Sequence, residues 1–155
     1  MTRRTNERRM FLKPGPFVRA LFLYLLAWAA GFEVTVLCAY VGGDHYHIVL
    51  YDPQGRVSCF AERLNGMVAR VLNWRWGRVG AAFWDNSDLS LVRLVDADTI
   101  VRKAVYAAAN PTQDGLLEDP SKWPGLWLTA KDLGKTLRVE RPKIGFFTKR
   151  SKMPL

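Results

Sequence analysis

The sequence predicts an α+β fold, an antiparallel sheet with helices packed on one of its faces. Three observations carry that prediction. Two runs rich in β-branched and aromatic residues, 33–41 and 44–51, are separated by Gly42-Gly43 and read as a hairpin of strands. Longer segments on either side place apolar residues three and four apart, as a helix buried on one side does. At 155 residues and 49% hydrophobic content, the chain suits one compact domain with a real core.

Residues 2–12 mix arginine and threonine, end in Met10-Phe11-Leu12, and form a short extended lead-in. Lys13-Pro14-Gly15-Pro16 is a turn. Pro16, with φ already helical and no N–H to leave unpaired, opens a helix reaching residue 30. Phe17, Leu21, Tyr24, Leu25 and Trp28 form its stripe, and Gly31 is placed to stop it. Its uncharged part, residues 20–32, is 13 residues long. A bilayer span needs about 20. No membrane span is expected.

The hairpin follows, closed by Asp52-Pro53-Gln54-Gly55. Cys38 lies inside an apolar pattern and reads as a small buried residue, not half of a disulfide. Over 57–76 the stripe Phe60, Leu64, Met67, Val68, Val71, Leu72 predicts a second helix, with Arg63 and Arg70 off the stripe. Gly77-Arg78-Val79-Gly80 is a basic loop leading to Phe83-Trp84, and 89–95 reads as a strand. Asp96 or Asp98 caps a third helix over 99–109, which Pro111 ends by forcing the residue before it out of the helical region. Residues 115–125 are turn-rich, with Trp123 a lid on the core. The chain divides into a domain over 1–128 and a basic C-terminal extension or arm over 129–155. In that extension, 137–139 and 144–147 form a last strand pair or a loosely held tail.

Twenty-three Lys and Arg against fourteen Asp and Glu give a net charge of +9, which favours a polyanionic partner. The excess gathers at the ends. Residues 1–13 hold Arg3, Arg4, Arg8, Arg9 and Lys13 against Glu7, and residues 131–155 hold eight basic groups against Asp132 and Glu140. Arg4, Arg8, Arg9, Arg63, Arg70 and Arg78 are the candidate phosphate contacts; such contacts position a nucleic acid without reading its sequence.

The chain's two histidines, His45 and His47, stand two apart on the predicted second strand of the hairpin. Side chains alternate along a strand, so both imidazoles share one face while Tyr46 points into the other layer. Such a pair begins a divalent-metal site; it also fits half-buried sheet residues satisfied by ordinary hydrogen bonds. On the third helix Tyr106 and Asn110 are four apart and share a face, with three alanines between them that permit close approach to a strand. A tyrosine hydroxyl attacks a phosphodiester only when a metal offsets the developing charge. Two imidazoles and the Asn110 amide oxygen would give that ion three ligands, with Tyr106 one helical turn away; Tyr106 equally fits an amphipathic packing position, and Asn110 a cap before Pro111.

Taken together, the ordered landmarks resemble the single-tyrosine HUH transposases, and among them the REP-associated tyrosine transposases of bacteria. The likeness is carried by Arg8-Arg9-Met10-Phe11-Leu12, Tyr40-Val41, His45-Tyr46-His47, Asn73 with Gly77-Arg78, Phe83-Trp84, Tyr106 with Asn110-Pro111, Gly115-Leu116 and Trp123-Pro124-Gly125. It covers most of residues 3–127. The resemblance implies a ferredoxin-like antiparallel sheet with helices on one face, the HUH nuclease fold. It implies a metal-dependent endonuclease and strand transferase acting on single-stranded or hairpin DNA in the bacterial cytoplasm, near the nucleoid. His45, His47 and Asn110 match the ligands of Mg²⁺ or Mn²⁺, and Tyr106 matches the nucleophile that forms a 5′-phosphotyrosine. The alternative is an inactive, domesticated protein that binds single-stranded or hairpin nucleic acid on the same fold. Monomer and homodimer both remain open.

Two departures from that family bear on activity. Gly42-Gly43-Asp44 stands where a methionine, a small residue and asparagine are usual, so Asp44 adds a carboxylate that either tightens metal or repels DNA. The usual first strand is mostly absent upstream of Thr2-Arg3-Arg4, which predicts an exposed sheet edge.

Overall fold

The computed structural model describes residues 1–87, 89–113 and 115–148. Lys149, Arg150 and Lys152, part of the basic tail, lie outside them. Within the described residues, β1 (Thr2–Arg4), β2 (Thr35–Val41), β3 (His45–Tyr51) and β4 (Trp127–Leu128) form one antiparallel sheet in the order β1-β3-β2-β4. The helices are α1 (Pro16–Leu26), α2 (Val57–Arg75), α3 (Ala97–Gln113) and the single turn α4 (Gly145–Thr148). The expected α+β architecture is present, and it is compatible with a ferredoxin-like fold.

The hairpin forms as its residues require. Gly42 N–H donates to the His45 carbonyl (2.8 Å), closing a two-residue turn of Gly43 and Asp44. Register then sets Tyr40 opposite His47 and Val41 opposite Tyr46, with a bulge between Val36 and Cys38.

Alternation sorts the two faces. Ala39, Val41, Tyr46 and Ile48 join Leu21, Phe22 and Leu25 of α1 and Phe60, Leu64 and Val68 of α2 in the main core. Two layers form there as expected. α3 does not join them. Ala107, with Ala104 beside it, packs on Cys38 and Val49, on the opposite face of the sheet. Cys38 is a buried free thiol, as its apolar setting indicated.

Several boundaries differ from the sequence reading, each for a local reason. α1 tightens into a 3-10 turn over Ala27–Phe32, and the left-handed residue that ends it is Glu33 (φ 57°), not Gly31. Asp96 is the cap of α3: its carboxylate accepts the Thr99 N–H at 2.7 Å, while Asp98 pairs with Arg102. α3 runs through Pro111 to Gln113 instead of ending before it. A proline's fixed φ is helical, and what it removes is one N–H donor. Just before it, the Asn110 side chain donates to the Tyr106 carbonyl (2.7 Å).

The strand expected over 89–95 is reduced to one bridge, Ser90 with Thr2. That bridge corrects the exposed edge as well. β1 exists as three residues, pairing Thr2 with His47 and Arg4 with His45. Its outer side is covered by Thr2–Ser90, Asn6–Phe83 and Asp85–Arg4 backbone bonds.

The C-terminal extension takes neither expected form: 137–139 and 144–147 make no strand pair, and the described part is docked on the core through the helical turn α4. Phe147 is buried edge-on to Tyr24 (5.6 Å between centroids), and Val139, Ile144 and Phe146 pack against the same core. Among the described residues, no helix is long and apolar enough to cross a membrane.

Candidate functional site

His45, His47 and Tyr106 come together on the α3 face of the sheet. The imidazole centroids are 5.0 Å apart, and the Tyr106 ring stands edge-on to His47 at 5.3 Å. Strand alternation pairs the histidines, and the close seat of Ala107 on the sheet brings Tyr106 over them. A further clamp holds the helix: the Trp127 indole N–H on β4 donates to the Ala108 carbonyl at 2.9 Å. Tyr106 keeps nearly half its surface exposed, as a group that must meet a large substrate requires.

Each histidine has its Nδ1 engaged. Asp44 Oδ1 lies 2.7 Å from His45 Nδ1, and Thr2 Oγ1 lies 2.8 Å from His47 Nδ1. A carboxylate only accepts, so with Asp44 as its partner the His45 proton sits on Nδ1 and the ring's lone pair on Nε2. The Thr2 hydroxyl adapts to either tautomer of His47. Burial lowers the His47 pKa from 6.5 to about 4, aided by the proximity of His45, the amino terminus, Arg4 and Lys103. Its ring is therefore neutral at physiological pH, with no proton for an incoming ion to displace.

Asn110 is buried on the sheet-facing side of α3, one turn from Tyr106. Its amide nitrogen is committed to the Tyr106 carbonyl, so any ligand role falls to Oδ1. Among the described residues, no three His, Cys, Asp or Glu side chains form a metal-holding group. The donors that the geometry brings together are the two imidazoles, with the Asp44 carboxylate behind His45, while Asn110 lies one helical turn beyond Tyr106. Two imidazoles on one sheet face are a partial donor set for a divalent ion.

The candidate phosphate contacts separate into two groups. Arg4, Arg8 and Arg9 lie on or beside β1, and the segment carrying them is tied to the hairpin turn by Thr5 N–H to the Asp44 carbonyl (2.7 Å). Arg78 stacks on Phe11 of that same segment, 3.8 Å from the ring centroid. Arg63 and Arg70 are elsewhere. They sit on α2, across the sheet from the histidines, where Arg63 covers Trp28 and Arg70 bonds back to Gly66 and Met67.

Three contributors escaped the sequence reading. Thr2 and Trp127 left no local signal, since each acts only through strand register. Lys103 was legible: it stands one turn before Tyr106, and its ammonium lies 5.8 Å from that ring centroid. Trp123 packs on Tyr40, whose ring lies beside His45 on the histidine face, and donates to the Val41 carbonyl at 3.1 Å. A scan of the chain against protein-family models and a search of the curated proteins found no match.

Proposed function

We propose that the protein is a metal-dependent single-stranded DNA endonuclease and strand transferase, similar to the REP-associated tyrosine transposases. The observation that carries this reading is the edge-on contact of Tyr106 with His47, beside the second imidazole (5.3 and 5.0 Å). A helical tyrosine held over a metal-competent histidine pair suits phosphoryl transfer better than any ordinary packing role.

In this reading the Tyr106 oxygen attacks the scissile phosphorus as its proton leaves. The bond to the 3′-oxygen breaks, and that oxygen takes up a proton. The products are a 5′-phosphotyrosine and a free 3′-hydroxyl. Bond energy is conserved, so a hydroxyl end reverses the step or joins a new strand without water. Lys103 holds its ammonium over the Tyr106 ring, 5.8 Å from the centroid. Asp44 orients His45, and Thr2 orients His47. Mg²⁺ or Mn²⁺ held by His45, His47 and Asn110 would supply a Lewis acid for the phosphate.

The test is a denaturing gel of the purified protein with labelled single-stranded hairpin DNA and Mn²⁺. A slow, protease-sensitive band is expected, absent in Tyr106→Phe and with chelator. Salt-sensitive binding on a native gel without any adduct would replace the enzyme with the binding-only protein.

A further inference from the structure

Away from the histidines, one end of the molecule carries a surface that the proposed chemistry does not use. Arg75 at the end of α2 lies 4.2 Å from the Phe17 ring centroid, and Arg78 lies 3.8 Å from that of Phe11. Between them Trp76 is 44% exposed, its indole N–H directed at the Phe11 carbonyl (3.4 Å). Arg8 and Lys13 flank this cluster along the chain. Among the described residues, no carboxylate is within ion-pair distance of Arg8, Lys13, Arg75 or Arg78. The nearby acids are Glu7, already paired with Arg9, and Asp85, which feels Arg4 and Arg8.

The platform is rigid. Asn73 donates to the Ala81 carbonyl (2.8 Å) and accepts, through its own carbonyl, the Arg78 N–H (2.7 Å). Gly77 and Gly80 take the positive φ that this closed loop requires (64° and 83°). The platform is also joined to the hairpin turn. Phe11, beneath Arg78, neighbours Leu12, whose N–H donates to the Gly43 carbonyl one residue before Asp44 (2.9 Å).

Cations held flat on rings beside an exposed indole match a single strand of nucleic acid, which offers phosphates and unpaired bases in alternation. An acidic protein or membrane offers charge but no bases to stack. We infer that this surface docks the single strand leading into the histidine site, with Trp76 stacking a base and Lys13 and Arg75 holding phosphates, while Arg78, whose guanidinium donates to the Ala82 carbonyl (3.2 Å), braces the platform. The inference rests on the nucleic-acid reading above and assigns the strand's course, which that reading leaves open.

The experiment is fluorescence anisotropy of a labelled single-stranded oligodeoxynucleotide bearing a hairpin, with the full chain at several salt concentrations. Trp76→Ala is expected to weaken binding by roughly 10-fold, as loss of one stacked base does. Trp76→Phe, which keeps a ring, recovers most of that affinity. The Lys13→Gln, Arg75→Gln double variant should lower the slope of log affinity against log salt by about 1.4, at about 0.7 per phosphate of a single strand. Melting curves confirm that each variant is folded.

Affinity and slope within error of the wild type in folded variants would overturn the inference. So would Trp76→Phe as weak as Trp76→Ala, or tight binding to anionic vesicles with none to the oligonucleotide. The covalent adduct is assayed in parallel. Trp76-dependent binding without adduct sinks the endonuclease and keeps this surface; adduct with Trp76-independent binding does the reverse.

Discussion

Removing the Asp44 carboxylate should weaken metal binding while leaving the fold intact. The backbone of Asp44 is held independently of its side chain, because its carbonyl accepts the Thr5 N–H (2.7 Å). A substitution there therefore isolates the 2.7 Å contact with His45 Nδ1. Both side chains are largely shielded, at 21% and 16% exposure, so water screens the contact little. A charge-assisted hydrogen bond of this kind contributes about 1.5–3 kcal/mol. Removing an outer partner of a ligating histidine typically costs about 10–100-fold in metal affinity. Asp44→Asn retains an acceptor and so the tautomer, but lacks the charge that makes Nε2 more basic; it should fall near the lower end. Asp44→Ala loses both and should approach ~100-fold. The assay is calorimetric titration of the apo protein with Mn²⁺, with thermal melts as the control for folding. Mn²⁺ affinities of both variants within about twofold of wild type would refute the orienting role and with it the fit of this pair to metal.

Two further outcomes follow from the same geometry. The folded chain refuses a proton at His47 until about pH 4, whereas the unfolded chain accepts one below 6.5. This group's stabilisation is therefore complete above 6.5 and is lost as pH falls toward 4. The full shift corresponds to ~3 kcal/mol, cut to ~1–2 by the ring's partial solvent access. Urea melts of the apo protein at neutral pH and near the lower limit should show His47→Gln losing less stability than wild type; parallel losses would refute the assignment. Ala107→Leu forces bulk between α3 and the Cys38–Val49 surface, where the alanine is 2% exposed. It should cost ~1–3 kcal/mol in a melt and, by lifting Tyr106, reduce adduct yield by about 100-fold. Unchanged yield would mean that the seat of α3 does not set the nucleophile.

How much of this was legible beforehand follows from how far each signal reaches along the chain. Alternation over residues 44–51 settled that His45 and His47 share a face opposite Tyr46, and Tyr46 is indeed buried with its hydroxyl on Asn65. The three- and four-residue stripes found α1 and α2, and turn chemistry found the hairpin. Pro111 misled because its effect on the preceding residue is a bias, which the buried seat of Asn110 and Pro111 overcame. Asp44 was visible as a carboxylate beside the site, but its direction was not. The sequence alone determined which residues share a face within each element, because backbone geometry fixes periods of two and 3.6. Only the tertiary structure decided which element covers that face. Packing of Ala107 on Cys38 and Val49, the Trp127 bond to Ala108, and the β1 register that sets Thr2 against His47 join residues far apart in the chain. No local periodicity encodes such pairings; they arise when the whole sheet closes and each buried polar group must find its partner.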